Sequence, residues 1–346
     1  MNEPLIVIDA DVLGRRRTGD ETYVAELLRE LPAFADGLRL AAVTRRPDLV
    51  PEGVEAIELQ ARSQPLRMAA RLPLVLRRLR PAIGHFLHVV PPAWRGPSIL
   101  TIQDLSFERF PELMGPVDRF WFRTFVPRSV RRATRVLTGS DWTKRDLVER
   151  YAVASERVVV TPYGVDPTFS PKGRRWDGAP YALFVGSLQS RKDPLAGVEA
   201  LARTNGDLRL VLVGPDRGLG EEVERAAARL GLAGRVERVG HVEREQLAAL
   251  YRGAACLVFP SRYEGFGLPI LEAMASGTPV VATPSSSIPE VAGDAAVLVE
   301  RDQLGAGIER ALADRQRLVA AGLERAAQFK WAETARRTAE VYRELV

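Results

Sequence analysis

The sequence alternates short, β-rich apolar runs with longer segments of helical period, and it begins this alternation afresh in its second half. Such alternation is typical of parallel sheets covered by helices, so it predicts an α/β fold with one parallel sheet in each half. The predicted strands of the first half are Leu5–Asp9, Leu38–Thr44, Ile99–Ile102, Arg135–Thr138 and Val158–Val160, and those of the second half are Tyr181–Val185, Leu208–Val213, Val236–Val239, Ala255–Phe259 and Pro279–Ala282.

A segment rich in proline and glycine, Pro162–Pro180, separates the two halves and shows little apolar periodicity. A chain of 346 residues is long enough for two domains that each bury a core. We therefore expect one domain over residues 1–165 and another over residues 166–331. The final segment, 332–346, is amphipathic and is expected to pack as a helix.

The composition indicates the cellular compartment of the protein and the kinds of partner that it binds. The sequence lacks both a leader pattern at its start and a run of about 18 uncharged apolar residues, so neither export nor a membrane span is predicted. Cys256 is the single cysteine and lies in an apolar run, which excludes an internal disulfide and fits a cytoplasmic protein. The net charge of +5 comes almost entirely from arginine, a skew that we interpret as genome composition, so no nucleic-acid partner is predicted.

The segment Pro260–Thr283 carries the most specific pattern in the sequence. It follows an apolar strand, and a loop with two glycines enters a helix in which Pro269 is expected to be the first residue. Glycines let the backbone approach a ligand, and the positive end of a helix favours an anion. The residues of this loop are Gly265, Phe266, Gly267 and Leu268.

Two carboxylates beside an anion site need a reason, because like charges repel. A sugar nucleotide supplies one, since it carries hydroxyl groups at both ends of its diphosphate and carboxylates accept hydrogen bonds from hydroxyls. We therefore assign Glu264 to a transferred sugar, and Glu272, expected in the first turn of the helix, to a ribose diol. The alternative leaves Glu264 as a loop surface residue and Glu272 as a carboxylate that complements the helix dipole.

A second loop indicates the same ligand. The predicted strand Tyr181–Val185 ends at Gly186, and the adjacent cations Arg191 and Lys192 follow it. Ligands of open α/β sheets bind at the carboxyl ends of the strands, and two fixed cations can neutralise a diphosphate leaving group without a metal. The alternative is a solvated basic pair at the start of a helix, although cations there oppose the helix dipole.

These motifs together resemble one enzyme family. The segments PSRYEGFGLPILEAMASGTPVVAT, YALFVGSLQSRKDP, VLVGP and VTPYGVDPTF are similar to those of the retaining glycosyltransferases of family 4. The resemblance implies a GT-B fold, in which two Rossmann-like domains with parallel sheets face each other across a cleft. It also implies that Glu264 and the glycine loop hold the donor sugar, Glu272 the ribose, and Arg191 with Lys192 the diphosphate. The N-terminal domain would bind the acceptor and be completed by the helix at 332–346.

Near the first predicted strand, RRTGDETY at Arg16 to Tyr23 resembles the family's glycine-containing loop under the donor diphosphate and the acceptor. The resemblance places Gly19 on the acceptor side. The alternative is that Thr18 and Glu21 form a capping box and that Gly19 only eases the turn.

The segment Ile99–Pro111 resembles one in which the family usually has a histidine before an aspartate, in contact with the transferred sugar. This chain has Gln103 followed by Asp104. Glutamine can donate a hydrogen bond but cannot become a cation, so electrostatic help from an imidazolium is absent. His85 and His88 lie just upstream and are candidates to compensate on the sugar side. The alternative is that both are partly buried histidines that follow a strand.

Asp9 and Asp11 match the short acidic motif that binds metal in the other large glycosyltransferase fold. They close the first predicted strand, and no third ligand lies nearby in the sequence, so no metal site is predicted.

Residues 64–81 combine leucines with several arginines, and two interpretations stay open. The segment could rest on anionic lipid beside a lipid-linked acceptor, or it could pack on the sheet with its arginines in water, and Pro73 interrupts its pattern. The arginines in question are Arg67, Arg71, Arg77, Arg78 and Arg80.

The sequence thus predicts a hexosyltransferase that uses a nucleoside-diphosphate sugar as co-substrate, with GDP-mannose as first candidate and UDP-glucose as second, and that needs no other cofactor. The expected acceptor is a saccharide or a lipid-linked hydroxyl, met in the cytoplasm or at the inner face of the membrane. An alternative is a nucleotide-sugar-binding protein weakened in catalysis by Gln103. A nicotinamide-dependent oxidoreductase is disfavoured, because no Gly-x-Gly-x-x-Gly follows a strand.

Overall fold

The computed structural model describes residues 3–15 and 18–346, and for Thr18 it describes only the backbone. The chain forms two compact units. One comprises the chain up to Gly164 together with Lys330–Val346, and the other comprises Val165–Phe329. These limits lie within two residues of the domain boundaries expected from the sequence.

The first unit is built around a parallel sheet whose central strands are apolar on both faces. Within residues 3–15 and 18–346 its seven strands lie in the order β3-β2-β1-β4-β5-β6-β7. Val7, Phe86 and Leu100 from the central strands are buried in its core, together with helical residues such as Leu72 and Leu147. The strands are β1 (Leu5–Asp9), β2 (Arg39–Thr44), β3 (Glu55–Glu58), β4 (Ile83–Leu87), β5 (Ser98–Thr101), β6 (Arg135–Thr138) and β7 (Val158–Val160).

Helices cover both faces of this sheet, as a fully parallel sheet requires. A π-helical turn at Arg67–Arg71 joins two of them. The helices are α1 (Thr18–Glu30), α2 (Gln64–Leu66), α3 (Leu72–Leu79), α4 (Ser106–Arg109), α5 (Pro116–Arg132) and α6 (Asp141–Tyr151).

The second unit repeats this plan. In the part of the chain that the structure describes, six parallel strands lie in the order β10-β9-β8-β11-β12-β13. The strands are β8 (Tyr181–Val185), β9 (Arg209–Val213), β10 (Val236–Gly240), β11 (Cys256–Phe259), β12 (Val280–Ala282) and β13 (Val297–Leu298). The helices are α7 (Pro194–Leu201), α8 (Gly220–Arg229), α9 (Arg244–Gly253), α10 (Leu268–Ala275), α11 (Ile288–Ala292), α12 (Leu304–Ala313) and α13 (Arg315–Ala327). The predicted α/β fold with a parallel sheet in each half is confirmed.

Three strands were missed by the sequence prediction. β3 is a charged edge strand without an apolar run, and β13 has only two residues. β4 is buried, but its sequence IGHFL contains a glycine and a histidine, which interrupt the apolar pattern. Burial on both faces, rather than composition, makes this segment a central strand.

The connecting segment Pro162–Pro180 contains neither helix nor strand, yet most of it is bound to the second unit. The Arg252 side chain donates a hydrogen bond to the carbonyl of Arg174 at 2.7 Å. The backbone amide of Trp176 donates to the carbonyl of Ala249 at 3.0 Å. The segment is therefore a fixed part of that domain rather than a loose tether.

The last helix, α14 (Trp331–Arg343), returns to the first unit and packs against α1. Trp331 stacks on Tyr163 with ring centroids 5.7 Å apart. The Tyr342 hydroxyl hydrogen-bonds to Nδ1 of His85 at 2.7 Å. The chain therefore completes its first domain only after it has built its second.

The acidic pair that closes β1 is bound by arginines. Arg67 is fully buried. Its Nη1 donates to Oδ2 of Asp9 at 2.9 Å, and its Nε lies 3.2 Å from Oδ1 of Asp11. Asp11 also pairs with Arg15 and, at 3.0 Å, with Arg45. Among the described residues no three His, Cys, Asp or Glu side chains are grouped to hold a metal ion.

The burial of Arg67 corrects one interpretation of the segment 64–81. Arg67 and Met68 face the protein interior, so they cannot rest on lipid. Arg71 and the arginines of the last turn of α3 remain exposed. Throughout the described residues, every helix is too short or too polar to cross a bilayer.

We expect Arg67→Met to lower the free energy of unfolding by about 3–5 kcal/mol, because it leaves buried carboxylates without their guanidinium. Arg71→Met, an exposed position on the same π-helical turn, is the matched control and should change it by about 0.5 kcal/mol or less. Urea denaturation followed by tryptophan fluorescence measures both. An equal loss of unfolding free energy in the two variants would contradict a stabilising role for the buried ion pairs of Arg67.

Candidate functional site

The loops that leave β8 and β9 touch each other at the carboxyl edge of the second sheet. The amide of Gly186 donates to the carbonyl of Val213 at 2.9 Å. Gly214 has a φ of +143°, and a Cβ built on it would lie 2.2 Å from the carbonyl oxygen of Gly186. Only glycine fits at this contact, and the close approach fixes the start of the loop that carries the cations.

Arg191 and Lys192 lie in a turn before α7 rather than inside the helix. The amide of Lys192 donates to the carbonyl of Gln189 at 3.0 Å, and the carbonyl of Arg191 accepts from the amide of Arg262 at 2.8 Å. Asp193 then caps α7, since its Oδ1 accepts from the amide of Ala196 at 3.2 Å. Both cations thus stand on a backbone that is held from several sides.

Both cations contact Glu264. Nζ of Lys192 donates to Oε1 of Glu264 at 2.5 Å, and Nη1 of Arg191 lies 3.4 Å from Oε2. The side chains are 13%, 14% and 8% exposed for Lys192, Arg191 and Glu264. Two cations and one carboxylate therefore share a site that is nearly closed to water.

The loop that carries Glu264 is held by serines that follow β12. The amide of Glu264 donates to Oγ of Ser286 at 2.7 Å. Oγ of Ser287 lies 3.0 Å from the carbonyl oxygen of Glu264 and 2.9 Å from that of Phe266, and its one proton is shared between these two acceptors. Sequence reasoning missed these serines, although the run Ser285–Ser287, separated by two residues from the end of the predicted strand Pro279–Ala282, is a signal that could have found them.

The charge of Glu264 depends on its neighbours. Burial by itself raises the pKa of this carboxyl, but the charges of Lys192 and Arg191 outweigh burial, and the net pKa is lowered. The group is therefore an anion at neutral pH and can accept hydrogen bonds only. Glu264 can therefore bind a ligand group that donates a hydrogen bond, such as a hydroxyl, but not a group that only accepts one.

The glycine loop leads into α10, and its details differ from the prediction. Gly267 caps the helix with a φ of +113°, and the helix begins at Leu268, one residue before Pro269. Phe266 is 5% exposed, and its ring packs 5.8 Å from that of Phe329.

Glu272 lies beyond the first turn of α10, which corrects the predicted position. The Tyr251 hydroxyl donates to its Oε2 at 3.0 Å. Desolvation raises the pKa of Glu272 to about 7, opposed by the hydrogen bond from Tyr251 and the charge of Arg244, whereas Asp166 adds to the rise. Sequence reasoning missed Tyr251, which lies on α9.

The structure thus brings three of the four predicted donor-site side chains into contact. Arg191, Lys192 and Glu264 form one cluster, which we call the cation cluster. Glu272 has a different set of partners, and it lies four residues along α10 from Leu268. The two glutamates therefore belong to different hydrogen-bond networks.

In the first unit, the predicted acceptor-side residues follow neighbouring strands. A Cβ built on Gly19 would lie 3.4 Å from Oε1 of Gln103. Among the described residues, Nε2 of Gln103 has no hydrogen-bond partner. Oδ1 of Asp104 accepts from the amide of Ser106, two residues along the chain, at 2.8 Å, in the turn that leads into α4.

In the capping box predicted for Thr18 and Glu21, the Thr18 side chain lies outside the described residues. Glu21 accepts a hydrogen bond from the amide of Gly14 at 2.7 Å. Gly19 is exposed at the start of α1.

His85 is a core residue, which corrects its assignment to the sugar side. It is fully buried, its Nδ1 hydrogen-bonds with Tyr342, and its Nε2 with Oγ1 of Thr101, both at 2.7 Å. Burial lowers its pKa to about 3, so it is neutral at physiological pH. With both ring nitrogens engaged inside the protein, it cannot contact a sugar.

Comparison with known proteins places both units in one family. Residues 17–169 match the model described as Glycosyltransferase Family 4, and residues 166–330 match the model described as Glycosyl transferases group 1. The chain is 30% identical over 332 residues to O-antigen chain mannosyltransferase B of Escherichia coli. The match covers 88% of this chain and 83% of that relative. For several other curated relatives the match covers 51–59% of the relative's length.

Solved structures match over both units. Sucrose-phosphate synthase from Thermosynechococcus elongatus has a TM-score of 0.78 at 22% identity, with 99% of each chain covered. HepE from Anabaena, solved in complex with UDP-glucose, has a TM-score of 0.74 at 17% identity, with 98% of this chain and 99% of that chain covered. The predicted GT-B fold class is confirmed. Since both halves match family models and a relative is similar over most of its length, this chain is a glycosyltransferase that belongs to family 4.

Proposed function

We propose that the enzyme transfers a hexose from a nucleoside-diphosphate sugar to an acceptor hydroxyl, with retention at the anomeric carbon, in the synthesis of a cell-surface polysaccharide or glycolipid. The observation that carries this proposal is the cation cluster at the carboxyl edge of the second sheet. GDP-mannose is the first candidate donor, and the similarity to a mannosyltransferase of E. coli supports mannose as the sugar. UDP-glucose is the second, supported by the ligand of the Anabaena structure.

The cation cluster suits a departing diphosphate. In the transfer, the bond from the anomeric carbon to phosphate oxygen breaks, and the bond to the acceptor oxygen forms on the same face. The departing phosphate oxygen takes the acceptor proton, so the enzyme needs no separate base. Arg191 and Lys192 stabilise the charge that develops on the phosphate, and no metal ion is needed for this.

Glu264 has a second task in this scheme. Its carboxylate binds the two cations, at 2.5 Å from Lys192 and 3.4 Å from Arg191. When the diphosphate engages those cations, the carboxylate is released in part to accept a hydrogen bond from a sugar hydroxyl. Binding of the diphosphate and orientation of the sugar are thereby linked through the same three side chains.

Gln103 motivates the second candidate function, a nucleotide-sugar-binding protein with weakened catalysis. Its amide Nε2 can donate to a sugar hydroxyl but brings no positive charge to the breaking bond. The two functions differ in turnover. An enzyme releases nucleoside diphosphate at least slowly by hydrolysis, whereas a binding protein retains the intact donor.

Removing charge from the cation cluster tests the proposed function. We expect Glu264→Gln and Lys192→Met each to reduce release of nucleoside diphosphate from GDP-mannose or UDP-glucose by about a hundredfold or more. Lys172→Met, an exposed lysine of the same domain, is the matched control. EDTA should leave the wild-type rate unchanged. Near wild-type turnover in Glu264→Gln would refute its assignment, and intact donor in the wild type would favour the binding protein.

The pKa of Glu272, about 7, yields a pH test of its assignment to the ribose. At pH 6 the carboxyl is mostly protonated, and at pH 8 it is mostly charged and a stronger hydrogen-bond acceptor. We expect the preference for GDP over 2′-deoxy-GDP, measured by calorimetry, to rise about fivefold from pH 6 to pH 8. Glu272→Gln should abolish this rise, whereas the exposed Glu245→Gln should keep it. A preference that is independent of pH in the wild type would contradict the assignment.

A peripheral membrane contact is the last part of the proposal. Leu66 is 42% exposed and Leu74 is 62% exposed, and exposed arginines stand beside them. Apolar side chains flanked by arginine favour an anionic lipid surface. This surface excludes Arg67, which is buried.

We expect the double change Leu66→Asp with Leu74→Asp to reduce co-sedimentation with phosphatidylglycerol vesicles about tenfold, because each leucine loses its favourable transfer into lipid. Leu230→Asp, at a leucine that is 40% exposed in the other unit, serves as control. Unchanged sedimentation of the double variant would remove this surface from the proposal.

A further inference from the structure

Three loops meet at the carboxyl edge of the first sheet, within one domain. β1 pairs with β4, and β4 pairs with β5, so the segments that follow these strands are neighbours. The first contributes the start of α1, the second contributes His88, and the third contributes Gln103. Ligands of open parallel sheets bind at this edge of the strands.

Asp20 and His88 form a pair there. Nε2 of His88 lies 3.2 Å from Oδ2 and 3.3 Å from Oδ1 of Asp20. Gly19, the residue before Asp20, is the one whose Cβ would lie 3.4 Å from Oε1 of Gln103. The pair therefore stands next to the residue that we assign to the transferred sugar.

The backbone of His88 is unusual for a residue with a side chain. Its φ is +60°, in the left-handed region, which costs on the order of 1 kcal/mol or more for a residue other than glycine. The amide of His88 donates to the carbonyl of Thr101 at 3.0 Å, and the Phe122 ring lies 5.5 Å from the imidazole. These contacts hold a strained conformation that directs the ring to Asp20.

The pair is partly open to solvent. His88 is 19% exposed and Asp20 is 24% exposed. Their environment is otherwise enclosed: Tyr163 is buried beside them, and its pKa is raised by burial first and then by Tyr23, Asp20 and Asp104. An accessible carboxylate in such a place accepts hydrogen bonds from hydroxyl groups and repels anions.

We propose that Asp20 accepts a hydrogen bond from a hydroxyl of the acceptor saccharide and that His88 is a positioning residue that holds the Asp20 carboxylate. This inference rests on the proposed function, and it assigns to the first domain a specific contact with the acceptor. In this inference His88 positions a group that binds the acceptor. It does not replace the histidine that the family usually has at the position of Gln103.

The test separates acceptor use from donor cleavage. Turnover of GDP-mannose and UDP-glucose is measured with methyl α-mannoside and methyl α-glucoside as probe acceptors, and also without acceptor. Asp20→Asn should raise the KM for the acceptor about ten- to a hundredfold and leave donor hydrolysis within about twofold of wild type. His88→Gln should raise the same KM less, and the double variant should resemble Asp20→Asn, because both changes act through one carboxylate.

Asp118→Asn is the matched control, because Asp118 is the third residue of α5 as Asp20 is the third residue of α1. Both changes remove a first-turn charge, so a role in helix stability alone would affect them alike. Equal acceptor KM values in Asp20→Asn and the wild type would overturn the inference, as would a wild-type donor turnover that neither hexoside stimulates. Failure of the wild type to cleave any donor is a different result, since it contradicts the proposed function and the inference with it.

Discussion

Parallel strand pairing is the constraint on which both domains depend. A parallel sheet must be covered on both faces, so its central strands are buried and most of its connections contain helices. The same pairing brings every strand's carboxyl end to one edge, where residues far apart in the chain become neighbours. The cation cluster in one domain and the pair of Asp20 with His88 in the other both stand on such edges. Polar side chains can meet a ligand at these edges because packed helices cover the rest of each sheet.

Two buried ion clusters in this protein differ in what their charges can do. Arg67 is fully enclosed, and its guanidinium is matched by the carboxylates of Asp9 and Asp11, so the cluster ties β1 to a helical segment. The cation cluster keeps a small accessible surface and holds two cations against one carboxylate. An enclosed guanidinium between two carboxylates stabilises a fold, whereas two cations that share one carboxylate and keep some accessible surface can bind an anion.

Features that depend on local sequence were predicted correctly, whereas features that depend on contacts between distant residues were not. Apolar runs located strands such as β1 and β8, because local pattern and burial agree there. The same reasoning missed β4, whose glycine and histidine are accommodated only by neighbours on both sides. It placed His85 on the sugar side, although Thr101 and Tyr342 occupy both of its ring nitrogens inside the core. It also placed Glu272 in the first turn of α10, although the helix begins one residue earlier than predicted, at the cap on Gly267, and Glu272 is its fifth residue.

By itself, the sequence determined the fold class, the division into two domains, and the family, because hydrophobic period and short motifs are local properties of the chain. Only the tertiary structure decided which charged side chains meet and in which protonation state. His85 and Tyr342 are separated by 257 positions, and Lys192 and Glu264 by 72. A pKa or an ion pair depends on burial and on neighbours in space, and folding brings those neighbours from distant parts of the chain.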